Sequence, residues 1–71
     1  MNTEKVAPHI GRNIQKYRNQ KGFSQTKLSQ LSGVSYNTLI KIEAGGSKNP
    51  TIETLIKLAR PLEISVDQLL K

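Results

Sequence analysis

Three side chains in one short stretch, Tyr36, Asn37 and Lys41, have the chemistry to read a hydrogen-bonding edge. A carboxamide both donates and accepts, so Asn37 can bond an adenine edge in bidentate fashion; the Lys41 ammonium reaches guanine acceptors, and Tyr36 hydrogen-bonds or packs against a thymine methyl. On a helix turning about 100° per residue, these three share an arc of about 140° with Ile40 and Ala44, while Leu39 and Ile42 point the opposite way. That arc is the expected base-reading surface, against the plainer alternative of a solvated polar face. Ile40 is the odd member, an apolar residue that either meets a thymine methyl or is simply tolerated in the open.

Charge supports a polyanion as partner. The 71 residues carry a net charge of +6, and residues 5 to 48 hold eight Lys or Arg against one acid, Glu43, whereas residues 49 to 71 hold three of each sign. A positive field confined to one part of a chain suits phosphate neutralisation, although basic ribosomal proteins and membrane-surface helices share this balance. Lys16, Lys21 and Lys27 add to that field. Enzymatic chemistry is not expected: there is no Cys, the only His is His9, read as a surface residue, and the five acids are scattered. The same poverty of ligands leaves no cofactor or metal site to expect. No apolar run approaches a membrane span and the N-terminus lacks a signal core, so a cytoplasmic location is expected.

The elements that must position these residues are helices, because apolar residues recur at helical rather than alternating spacing. A chain this short buries only roughly 60% of the surface it exposes when unfolded, so caps and packing must hold it. A first helix is expected from His9 to Lys21, with Ile10, Ile14 and Tyr17 on one face and Gly22 ending it. A second follows the N-cap Ser24, with Phe23 and Leu28 as a hydrophobic staple, and ends at Gly33. The pattern repeats with Val34, Ser35 and Leu39, giving a third helix from Tyr36 to Ala44 that stops at Gly45. Pro50 and Thr51 open a fourth, whose buried stripe is expected to be Ile52, Leu55, Leu58, Ala59 and Leu62. Ser65 with Gln68 forms a capping box, and Ile64 with Leu69 a third staple, for a short last helix. Residues 1 to 8 lack periodicity and are expected to be a flexible arm, with residues 9 to 71 as one domain.

The stretch SQTKLSQLSGVSYNTLIKIEAG, Ser24 to Gly45, resembles the helix-turn-helix of the XRE family of lambda-repressor-like proteins, and Arg18, NPTIETLIKLARPL and ISVDQLL extend the likeness over nearly the whole chain. The resemblance implies an all-α, compact five-helix domain that binds double-stranded DNA as a transcriptional regulator, a repressor by expectation, commonly as a homodimer on a palindromic operator. Leu28, Leu31, Leu39 and Ile42 then build the core of the bend, with Ser29 small at the helix crossing and Gly33 in the turn. Tyr36, Asn37 and Lys41 fall at base-touching positions of the family. Gln25 falls at a phosphate-contacting one, where the free amides of a helix start can help it. Ser35, Thr38, Ser47, Lys48 and Asn49 are further phosphate candidates. Glu43 turns toward the interior, and similar proteins pair the matching glutamate with an arginine on the first helix, here Arg18; both are read as structural.

Two residues depart from the family pattern at one junction. Pro61 is expected to disturb helical geometry at Arg60, and Glu63 stands where a helix-ending glycine is common. Beyond it, Val66, Leu69 and Leu70 are three apolar side chains on a helix too short to bury them all, and offer a dimer surface. The rival to DNA binding is a protein-interaction module such as an antitoxin on the same fold; RNA binding is disfavoured by the lack of an aromatic stacking platform.

Overall fold

The computed structural model describes residues 7–46 and 50–71. It contains α1 (Ala7–Lys21), α2 (Gln25–Ser32), α3 (Tyr36–Glu43), α4 (Ile52–Leu62) and α5 (Val66–Leu70), and no strand occurs among the described residues. The N-caps use one chemistry throughout. Ser24, Ser35, Thr51 and Ser65 have extended backbones, and each accepts the N–H three residues on, from Lys27, Thr38, Thr54 and Gln68. Each cap satisfies a donor that the first turn leaves unpaired, which defines where a short helix begins. Gln68 also returns its Oε1 to the Ser65 N–H, completing the capping box.

α1 packs against α3, α4 and α5, while α2 packs on α3 and α4. Ile14, Leu28, Leu39, Leu58 and Leu69, one from each helix, are fully buried and join in a single core. Asn13 Nδ2 donates to the Leu69 carbonyl across 2.8 Å and ties α5 to α1.

Several expectations are corrected by this packing. α1 begins at Ala7 rather than His9, so Ala7 and Pro8 belong to its first turn, where proline's missing N–H costs nothing; the rest of the expected arm, residues 1–6, lies outside the described residues. Ile52 is 61% exposed and Leu31 48%, so neither is core. Ile52 occupies the first position of α4, an end where few neighbours can surround a side chain, and Leu31 lies at the edge of the buried arc of α2. Pro61 sits inside α4 without breaking it at Arg60, because in the final turn its ring removes only one terminal bond. Leu69, offered with Val66 and Leu70 as a dimer surface, is fully buried, Val66 packs partly against the core, and Leu70 alone of the three is exposed. Glu63 does adopt the left-handed conformation, φ 59°, with its N–H on the Arg60 carbonyl and that of Ile64 on Ala59. It is the one non-glycine with positive φ among the described residues, and its carboxylate is ion-paired with Lys21 of α1.

Candidate nucleic-acid interface

The turn between α2 and α3 is wired by two serines. Ser29 Oγ donates to the Val34 carbonyl at 2.7 Å, and Ser32 Oγ accepts the Val34 N–H at 3.1 Å while donating to the Ser29 carbonyl. Val34 is itself buried, so the start of α3 is fixed by both packing and hydrogen bonds. On α3, Leu39 and Ile42 face the core, which leaves Tyr36, Asn37, Thr38, Lys41 and the C-cap Ala44 exposed; Ile40, between Tyr36 and Ala44 on the same arc, is half-buried. Those polar side chains therefore stand on a rigid helix with an unobstructed outer face.

The far end of α3 is held by Glu43, which is only 6% exposed. Its carboxylate receives Arg18 Nε at 2.8 Å, Arg18 Nη2 at 3.0 Å and Gln25 Nε2 at 3.0 Å. Gln15 Nε2 donates to its main-chain carbonyl at 2.8 Å. One acid thus joins α1, the start of α2 and the end of α3, and the forked guanidinium satisfies a charge that would be costly to bury alone. It also cancels the sole negative charge within the basic segment. The helix then closes with Gly45 N–H on the Ile42 carbonyl and Gly46 N–H on that of Lys41, a turn that Gly45 makes at φ 82°.

The phosphate candidates are placed unequally. Gln25 is half-buried at the start of α2 with one amide hydrogen spent on Glu43, leaving its second hydrogen and the first-turn amides for an anion. Ser35 uses its oxygen as the cap of α3 and spends its hydrogen on Thr38 Oγ1 at 2.9 Å, whereas the exposed Thr38 hydroxyl accepts and keeps its own hydrogen to donate. Ser47, Lys48 and Asn49 lie outside the described residues.

A two-helix unit joined by a tight turn, its second helix exposed along a polar face and supported by flanking helices, matches a helix-turn-helix family model over residues 14–69. The chain belongs to the helix-turn-helix family. This helix-turn-helix chain is 43% identical over 60 residues to the transcriptional regulator SlrR of Bacillus subtilis, an alignment covering 84% of the chain but 40% of SlrR. It spans less than half of that relative. Its backbone is similar to the N-terminal DNA-binding domain of SinR from Bacillus subtilis, with a TM-score of 0.88 and 38% identity over 90% of this chain and 93% of that one. SinR, the master regulator for biofilm formation, in complex with DNA superposes with a TM-score of 0.85 at 39% identity, covering 87% of this chain and 98% of that one.

Some supports of this helix-turn-helix escape a reading of the sequence. Gln15 and Asn13 are ordinary polar residues on a helix, and nothing local shows that their amides reach main-chain carbonyls 28 and 56 positions away. Gly11, by contrast, carries a local signal: a glycine within a strongly periodic helix is unfavourable unless something approaches it closely.

Proposed function

We propose that this chain is the DNA-binding unit of a transcriptional regulator, which lays α3 in the major groove and acts as a repressor by occupying an operator. The observation that carries this reading is the single exposed face of α3, on which Asn37 and Lys41 stand while Leu39, Ile42 and the neutralised Glu43 occupy the other side. Asn37 reads adenine, Lys41 reads guanine and Tyr36 packs against a neighbouring base edge. Gln25, Thr38 and the amides opening α2 hold phosphates, with Ser47, Lys48 and Asn49 as further contacts. The resemblance to SinR, solved on DNA, supports this docking. Such a protein works where the DNA is, in the bacterial cytoplasm.

Two copies occupy one operator. One helix of this length spans only a few base pairs, too few to select a site in a genome, and a pair places two helices in major grooves about 10 to 10.5 base pairs apart. The exposed Leu70 at the end of α5 and the exposed Ile52 and Ile56 of α4 are apolar side chains available for pairing. Selection of bound sequences from a random duplex pool tests the reading: an inverted repeat with half-sites at that spacing is expected, and the absence of any enriched sequence would refute it.

A further inference from the structure

We propose that Gly11 is a positioning residue for base reading: its bare backbone is the seat of the C-terminal end of α3, and it sets how far Lys41 and its neighbours project into the groove. The inference rests on the DNA-binding reading above. Gly11 is buried within the fifteen-residue α1, a position where alanine would be the better helix former. A Cβ there would lie 2.2 Å from the Ile42 carbonyl oxygen, 3.1 Å from that of Glu43 and 3.2 Å from the Glu43 Cα. All three are backbone atoms of the last turn of α3, so no side-chain rotation makes room. The Ile42 carbonyl is also committed to the Gly45 N–H and cannot turn aside.

Gly11, Gln15 and Arg18 recur at helical spacing on the side of α1 that meets this helix end, and the latter two bind Glu43 through its carbonyl and carboxylate. A methyl at position 11 must push α3 away by about 1 Å to reach a normal contact. The start of α3 stays pinned by Ser29, Ser32 and the buried Val34. The helix therefore pivots, with the largest displacement near Lys41, and hydrogen bonds to base edges lose alignment steeply at that scale. Contacts to phosphate, made by long or flexible groups and by charge at a distance, are far less sensitive.

The test measures the affinity of Gly11→Ala for a selected duplex and for a scrambled one at fixed salt, with amide NMR spectra of the free protein. We expect a folded variant whose spectral changes concentrate in residues 36–46. Its affinity for the selected duplex should fall roughly tenfold, and that for the scrambled duplex should stay within about twofold. An unchanged ratio of the two affinities in folded Gly11→Ala would overturn the proposal. Should that variant fail to fold, Gln15→Ala loosens the same helix end without overpacking; a smaller selective loss supports the seat, and an unchanged ratio overturns it. A parent protein with no preference between the two duplexes would instead refute the DNA-binding reading itself, an outcome visible before any variant is made.

Discussion

Arg18 and Glu43, 25 residues apart, meet in a forked ion pair of 2.8 and 3.0 Å that fastens the end of α3 to α1. The third guanidinium nitrogen, Nη1, donates to the Phe23 carbonyl at 2.9 Å, so the same side chain also holds the turn between α1 and α2. The pair is consequently a junction between three helices.

Removing either partner should cost far more than a surface substitution. Arg18→Ala strands a buried carboxylate and Glu43→Ala strands a mostly buried guanidinium, each at about 3 kcal/mol. In urea denaturation the double variant should lose less than the two single losses added together, because the stranded charge is then gone. Additive losses would show that the two groups are not coupled.

Asn37→Ala and Gln25→Ala should separate reading from holding. The first should lose about 1 to 3 kcal/mol on the best duplex and relax preference at one base position. The second should weaken good and poor duplexes alike, with an added fall in melting temperature because Gln25 also satisfies Glu43. A selected consensus unaltered by Asn37→Ala would mean that the reading face is elsewhere.

Binding should weaken steeply with salt. Each phosphate neutralised contributes about 0.9 to the log-log slope, and the cations of residues 5 to 48 imply several such contacts. A titration from low to moderate salt that leaves affinity flat contradicts a phosphate partner.

Leu69 and Leu70 are adjacent but should behave differently. Leu69 is fully buried, so Leu69→Ala should destabilise the fold by about 2 to 5 kcal/mol. Leu70 is 38% exposed; Leu70→Asp should melt near the parent temperature while reducing the 2:1 protein–duplex complex seen by sedimentation. An undiminished 2:1 complex would remove Leu70 from the pairing surface.

Glu63 carries a pH signature. A hydrogen bond from Lys21, and then its positive charge, hold the Glu63 carboxyl below the ordinary glutamate value. A carboxyl depressed in the folded state favours folding above its unfolded value, and that contribution fades as pH falls through the lowered folded value. Because the group is exposed, the effect on stability is small and screened by salt. An NMR titration should give a midpoint for Glu63 that rises in Lys21→Met and at high salt; equal midpoints in parent and variant would exclude the pairing.

Local physics made the framework legible in the sequence. Ser24, Ser35 and Ser65 announce helix starts, Gly22, Gly33 and Gly45 announce ends, and the staple pairs fix how consecutive helices meet, all within a few residues of chain. The exposed arc of α3 is equally local, because helical periodicity alone sets Asn37 and Lys41 opposite Leu39 and Ile42. What only the tertiary structure decided depends on distant neighbours. Periodicity points Ile52 to the core and the helix-turn-helix resemblance does the same for Leu31, but a side chain is buried only where another element covers it, and both stay exposed. Spacing gives Leu69 both a staple role with Ile64 and a place on the dimer surface, and the packing of α1 on α5 settles it as core. The strength of one proline or one left-handed glutamate as a signal likewise depends on place: Pro61 falls one residue from the end of α4, where it removes a single helical hydrogen bond, and Lys21 of another helix meets the side chain of Glu63. Burial and ion pairing are relations between elements, so the sequence determined which helices form and which face of α3 is left exposed, while the packing of α1 against the end of α3 decided how that face is held.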